Sequence, residues 1–297
     1  MNILALTAYH PPYHLGGYEI RCKNVLDALA SRGHQVTVVT SLIPGHSPKR
    51  DGKTHRVLHA ARAENLARQV LWDIQDLRQI ARLIQQERID VLYLWHTIVL
   101  SPTIFPFAAE LEIPIVYDEG GVGLIHAWEK HGDWINYCER KRTSAPKEIF
   151  KRVVCASART LSGGVLPMRW RWPERMRIYF NSRSGLEAAR AAGVPLDEAR
   201  VIYSGLRLED FPFRSDEPFM GERIRLLLPG RIARVKAVEL AFHVIAALKR
   251  IAPQRRFELT VAGHVSDQEY FTALQQLRNR LGLQRHLRFL APLPPDQ

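Results

Sequence analysis

The sequence has little cysteine. Cys22, Cys138 and Cys155 are its only three, an odd number with no C-x-x-C spacing. A reduced, cytosolic compartment is the simplest reading. Long apolar runs are also scarce. Met1 to Ala8 is apolar but short, and Tyr9-His-Pro-Pro12 follows too soon for a secretory signal. The most apolar longer run, Thr97 to Tyr117, carries three internal prolines plus Glu110 and Glu112, which excludes a membrane span. A soluble protein is expected, or one peripheral at the inner face of a membrane. His10 and His14 have a metal-like separation, but Pro11 and Pro12 prevent a helix there and no acid or thiol completes a ligand set. No metal site is expected. The loop after the first apolar strand lacks G-x-G-x-x-G, which argues against a dinucleotide cofactor. No nucleic-acid-binding motif is present.

What remains is an alternation of strands and helices over 297 residues, 46% of them hydrophobic, enough for two α/β domains. Asn2 to Thr7 reads as a buried strand, and Ala8 to Gly17 as a loop. A helix from about Tyr18 has its apolar face at Cys22, Val25, Leu26, Leu29 and Ala30, and stops at Gly33. Gln35 to Thr40 is the next strand. Such a β-α-β unit implies a parallel sheet that binds ligands at the carboxyl ends of its strands. Ile43 to Thr54 reads as a Pro/Gly/Lys loop. A helix follows with Val70, Ile74, Leu77, Ala81 and Ile84 on one face, then strands over Asp90–Trp95, Pro114–Asp118 and Arg177–Asn181. A second β-α-β run has strands at Ile224–Leu228, Phe257–Ala262 and Leu287–Leu290, with helices over Ala237–Arg250 and Asp267–Leu281.

The stretch Leu226-Leu-Leu-Pro-Gly-Arg-Ile-Ala-Arg-Val-Lys236 joins an apolar strand to a helix through a sharp Pro229-Gly230 turn. Arg231, Arg234 and Lys236 then crowd the positive end of the helix dipole, where cations are disfavoured. A phosphate seated on the free N–H groups would turn that repulsion into attraction. A basic loop on a solvated rim is the alternative.

This segment resembles the G-R-x-x-x-x-K signature of retaining family 4 glycosyltransferases, with Ala237 where the family usually has Gly. The family has the GT-B fold of two Rossmann-like domains. Pro11-Pro12 through Gly16-Gly17-Tyr18-Glu19 is similar to its P-P-x-x-G-G-x-E opening, and Val201 to Phe211 to its interdomain crossover, with Ser204 in place of Asn. Val261-Ala-Gly-His264 and Gly282 to Leu290 resemble later strand segments. The resemblance implies an N-terminal acceptor-side domain over 1–204 and a partial nucleotide-sugar-binding domain over 205–297, joined by a linker over Pro212–Pro218. It implies that Arg231 and Lys236 grip the donor diphosphate, with Gly16, Gly17 and Gly263 also on the donor side. Where the family often has V-H-D, this chain reads Val116-Tyr-Asp-Glu-Gly-Gly-Val122. Glu119, then Asp118, are the nearest polar substitutes for that His, and His126 lies farther along. Retention without a metal is implied, with the leaving phosphate taking the acceptor's proton. Beyond Leu290 the family continues to an E-x7-E motif. Glu209 and Glu217 have its spacing but flank Pro212, so they are a decoy. The second domain is expected to be incomplete, in a truncated, split or partner-completed enzyme.

Between Glu139 and Arg177, eleven Lys/Arg face three Glu. Lys147 to Arg159 reads as a helix with cations along one side, and Met168-Arg-Trp-Arg-Trp-Pro173 interleaves cations with aromatics. Trp128 and Trp134 offer stacking faces for a sugar, or belong to a partly exposed flap. The expected function is sugar transfer from a UDP- or GDP-sugar donor to a saccharide or lipid-linked acceptor, in glycan or cell-envelope synthesis. An anionic membrane surface is a further partner, no nucleic acid is expected, and no cofactor beyond the nucleotide-sugar co-substrate. A non-catalytic, degenerate transferase or a phosphate- or sugar-binding protein is the alternative.

Overall fold

Near-continuous apolar runs such as Ile3-Leu-Ala-Leu6 suit strands buried on both faces, and a parallel sheet covered by helices on each side provides that environment. The computed structural model describes residues 1–13, 16–43, 46–60, 63–95, 97–141, 144–205, 208–210 and 223–292. The chain divides into two units, Met1–Leu206 and Arg207–Gln297. His14, Glu217 and the linker expected over Pro212–Pro218 lie outside the described residues.

In the first unit β1 (Asn2–Thr7) leads to α1 (Gly17–Ser31) and β2 (Gln35–Ser41), then to β3 (Lys49–Asp51) and β4 (Thr54–Leu58). Next come α2 (Leu66–Gln86), β5 (Val91–Trp95), α3 (Ile104–Ala108), β6 (Ile115–Glu119), α4 (Gly123–Lys130), α5 (Asp133–Glu139) and α6 (Ala145–Leu161). β7 (Met176–Phe180), α7 (Arg183–Ala191) and β8 (Arg200–Val201) complete it. The strands form one eight-stranded sheet in the order β3-β4-β2-β1-β5-β6-β7-β8. Every pairing is parallel except β3 with β4. The stretch from Ile43 to Thr54 is therefore not wholly a loop: its end folds back as an antiparallel hairpin at the sheet edge, around the turn at Gly52. Three exposed polar residues, Lys49, Arg50 and Asp51, give no alternation of hydrophobicity from which β3 could be read.

Alternation along β1 splits the core in two. Leu4 and Leu6 join Leu77, Ile80, Leu92 and Leu94, whereas Ala5 faces Cys22 and Leu26 of α1 together with Val38 and Trp95. Phe105, Trp134, Tyr117 and Phe180 extend the larger side and are fully buried or nearly so. Trp134 is thus a core residue, not a stacking face for a sugar. Its indole Nε1 donates to the Pro167 carbonyl at 2.9 Å, which satisfies the only polar atom on the ring. The tryptophans of the Met168–Pro173 stretch also turn inward. Trp172 stacks on Phe105 with ring centroids 5.5 Å apart, and Trp170 on His131 at 4.3 Å. Only Arg169 and Arg171 of that interleaved motif point to solvent.

Asp73 on α2 is buried, with Gln69, Ser101 and Thr103 as hydrogen-bonding neighbours. Burial pushes its carboxyl up to about 7, against the pull of a hydrogen bond from Gln69. A raised folded-state value contributes stability at low pH that is lost as pH rises from about 4 to about 7. His10 works in the opposite sense: burial and the Arg56 charge lower it to about 4, so its neutral burial costs stability as pH falls below 6.5. Comparing wild type with Asp73→Asn cancels the His10 contribution. The melting-temperature advantage of the variant is expected to grow steadily across that window. A difference independent of pH would show that Asp73 stays ionised in the fold.

In the second unit β9 (Arg223–Pro229), α8 (Val238–Ile251), β10 (Arg256–Ala262), α9 (Gln268–Arg280) and β11 (Leu287–Leu290) make a three-stranded parallel sheet in the order β11-β10-β9. Phe242, Ile245, Leu259, Val261 and Leu274 form its core. Arg225 and Leu227, on the opposite face of β9, are exposed. The architecture is α/β throughout, with a large doubly covered sheet and a smaller sheet covered on one face. Among the described residues no helix is long and apolar enough to cross a membrane.

Candidate functional site

In the first unit β1 lies between β2 and β5, so the connections leaving β1 and β5 diverge and open a crevice at the carboxyl edge. The chain leaving β1 there leads to Gly16 and Gly17. Gly16 is the extended N-cap of α1, and its N–H donates to Glu19 Oε2 at 2.9 Å. Glu19 is buried, so the acid of the G-G-x-E motif braces the loop from beneath. Among the described residues, nothing lies within 4 Å of where a Cβ would stand on either glycine. Packing does not demand glycine here. Open space in front of bare backbone is what a close-approaching ligand requires.

Arg56 of β4 holds the same loop from the other side. Its guanidinium, in a residue only 3% exposed, donates to the carbonyls of His10 at 3.0 Å and Pro11 at 2.8 Å and lies over the Tyr13 ring. No motif flagged Arg56, because it falls in a strand whose residues carry no functional pattern.

At the end of β6, Asp118 and Glu119 are both buried and both committed to bonds within the fold. Arg21 of α1 grips Asp118 with two parallel hydrogen bonds of 2.7 Å, and Tyr18 donates to the Asp118 carbonyl. Burial pushes the Asp118 carboxyl up from its ordinary range while the guanidinium pulls it down. Arg21 also sits over the Trp95 ring, 5.1 Å from its centroid. Glu119 accepts from the backbone N–H of Gly121 at 2.6 Å and of Leu124 at 2.7 Å, the second in the first turn of α4, where a carboxylate is favoured. His126 is on the exposed side of α4. Asp118 and Glu119 thus adjoin one another in the fold, whereas His126 is exposed. Arg21 was missed by sequence reading. A signal existed, since a buried carboxylate such as Asp118 demands a partner, but only the fold says which cation reaches it.

In the second unit the turn after β9 is pinned to the turn after β10. Ile232 donates to the His264 carbonyl at 2.8 Å, and the Ser266 N–H returns to the Ile232 carbonyl. Gly263 makes this approach possible: a Cβ there would stand 1.9 Å from the Gly230 carbonyl oxygen. Arg234 is drawn away by α9, with Asp267 at 3.3 Å and Glu269 at 3.7 Å, and it lies over the Tyr270 ring. Its charge is thus offset by two carboxylates beside the first turn of α8. Not all of the α8 N–H groups are open, since Val238 donates to the Tyr270 hydroxyl at 2.8 Å. Arg231 and Lys236 are exposed, and among the described residues neither has a carboxylate partner.

Between Lys236 and α8, Ala237 adopts a left-handed conformation, φ 46° and ψ 46°. This is the position where the family signature has Gly, and a Cβ there costs about 1–2 kcal/mol. Ala237→Gly is expected to raise the stability of the second unit by about 1 kcal/mol, measurable as a shifted urea midpoint. An unchanged or lowered midpoint would contradict the strain.

Elsewhere, a shallow depression lined by Asn65, Leu66, Asp133, Asn136, Tyr137 and Arg140 contains none of these residues. Among the described residues no group of three or more His, Cys, Asp or Glu could hold a metal ion.

Residues 15–210 match the sequence profile of Glycosyltransferase Family 4. The D-inositol 3-phosphate glycosyltransferase of Corynebacterium jeikeium is 29% identical over 109 residues, covering 33% of this chain and 26% of the relative. That match spans about a quarter of the relative's length. Among solved structures, Anabaena HepE in complex with UDP superimposes with a TM-score of 0.61 at 16% identity, over 99% of this chain and 70% of that one. Sucrose-phosphate synthase of Thermosynechococcus elongatus gives 0.63 at 14% identity, over 99% and 71%. WaaG, a glycosyltransferase involved in lipopolysaccharide biosynthesis, gives 0.55 at 13% identity, over 99% and 70%. At these identities the likeness to the solved structures is one of fold.

Proposed function

This chain belongs to glycosyltransferase family 4, and from that premise we propose that it transfers a sugar from a nucleotide-sugar donor to an acceptor with retention of configuration. One observation carries the reading. Arg231 and Lys236 are the exposed cations on the turn between β9 and α8 that have no carboxylate partner among the described residues, while the third, Arg234, pairs with Asp267 and Glu269. Two such cations match the charge of a diphosphate, and their attraction grows as negative charge builds on the leaving group. The donor is a UDP- or GDP-sugar, a choice supported by the UDP bound to HepE. Gly263 keeps the two turns of the second unit close enough for backbone to flank the donor. Gly16 and Gly17 give the transferred sugar a bare-backbone surface in the first unit.

Asp118 and Glu119 serve as positioning residues. Each carboxylate is engaged by donors of the fold, so the proton of the acceptor hydroxyl passes to the leaving phosphate. The acceptor is a saccharide or a lipid-linked saccharide, and the setting is the cytoplasmic side of an anionic membrane, in glycan or cell-envelope synthesis.

The test incubates the protein with labelled UDP- and GDP-sugars and saccharide acceptors, and reads the anomeric configuration of the product by NMR. Transfer with retention is the expected result. Calorimetry on the same donors separates the alternatives: donor binding without transfer to any acceptor would leave a sugar-nucleotide-binding protein, and absence of both would overturn the reading.

A further inference from the structure

Helix α6 packs into the fold on one face and exposes apolar side chains on the opposite one. Lys151, Cys155 and Ala158 face inward, and the Lys151 ammonium is satisfied by Glu148 at 2.9 Å and by the Arg140 carbonyl at 3.1 Å. On the far side Ile149, Phe150 and Val153 are 63%, 67% and 58% exposed. With the exposed Pro146 they follow the i, i+3, i+4, i+7 spacing of one helical stripe. Three large apolar side chains in one row form a patch, which carries meaning that scattered exposed residues lack. Lys147 lies on one flank of the stripe and Arg152 and Arg159 on the other, all exposed. The one acid of the helix, Glu148, is taken up by Lys151 and Arg152.

We infer that α6 is a membrane-docking helix that lies in the plane of an anionic bilayer surface, with Ile149, Phe150 and Val153 entering the boundary between headgroups and acyl chains. An apolar ridge bordered by cations on both sides is the arrangement that suits headgroup phosphates beside a hydrocarbon edge. At about 25 Å, the helix is long enough to rest along such a surface. A second copy of the chain fits poorly, because pairing two such faces would bring the cation rows together. The apolar contribution distinguishes this from simple attraction of the basic segment. Arg169 and Arg171 add charge, but the adjacent Trp170 and Trp172 are occupied within the fold. This gives the membrane setting proposed above a specific element, and its readout, lipid binding, is independent of sugar transfer.

The experiment is co-sedimentation of the protein with vesicles of phosphatidylcholine, alone or with about a third phosphatidylglycerol. Wild type is expected to bind the anionic vesicles and largely ignore the neutral ones. The triple variant Ile149→Ser, Phe150→Ser, Val153→Ser should lower the partition coefficient about tenfold or more, with an unchanged melting temperature because the replaced side chains are exposed. Lys147→Glu with Arg159→Glu should reduce binding by a similar factor while keeping the stripe. High salt should weaken wild-type binding without abolishing it. Equal binding by the triple variant and wild type would overturn the inference. So would a wild-type dimer in analytical ultracentrifugation that the triple variant dissociates, since a second copy would then cover the stripe.

Discussion

Alanine in place of Arg231 or Lys236 is expected to lower turnover of the nucleotide-sugar donor by about two orders of magnitude or more, the loss typical of removing one donor to developing oxyanion charge. Charge on the diphosphate increases as the glycosidic bond breaks, so most of the loss should fall on kcat and less on KM. Arg231→Lys should recover part of the rate, because a point charge replaces a fork that can grip two oxygens at once. Arg234→Ala is the internal control. Its guanidinium is occupied by Asp267 and Glu269, so its removal should alter the rate by no more than about a few-fold, as for an exposed ion pair. Near-normal turnover in Arg231→Ala and Lys236→Ala, or an equal loss in Arg234→Ala, would remove the diphosphate role from these residues.

That contrast also marks how far the sequence could be read. Three cations between β9 and α8 look alike in a linear string, and only the position of α9 shows that one of them is spent. The strands and helices were legible wherever periodicity was strong, as along α2 and through the buried parallel strands. The β3–β4 hairpin was not, because its outer strand is polar on both faces. Trp134 read as a sugar-stacking face or as part of a partly exposed flap, because an aromatic in a charged loop has no signature of depth. Burial is settled by what α3, α5 and the segment around Pro167 pack against. The departure at Ala237 acquires its physical meaning only from the backbone, since a left-handed residue is the reason a glycine is usual there. Glu119 was the nearest acid to a missing histidine by position alone, and the structure gives both of its oxygens to backbone N–H groups.

The Arg21–Asp118 pair should show the largest effect on stability. Its side chains are only 14% and 4% exposed, the two hydrogen bonds are parallel and 2.7 Å long, and Trp95 flanks the guanidinium. Removing one partner leaves the other charge buried without compensation, a cost of about 3–5 kcal/mol. Arg21→Met and Asp118→Leu should each produce that loss, followed by the fluorescence of Trp95 and its neighbours during urea unfolding. The double variant should be more stable than either single one, because no uncompensated charge is left in it, and the cycle gives the coupling directly. Molar salt should leave the coupling nearly intact, in contrast to the exposed pair Lys23–Asp27. Because the pair fastens α1 to the end of β6, the glycine loop ahead of α1 depends on it for its place at the sheet edge. Activity in the double variant should therefore stay low even where stability is regained. Recovery of both together would reduce the pair to a packing feature, and single-variant losses under about 1 kcal/mol would place it among solvent-screened surface pairs.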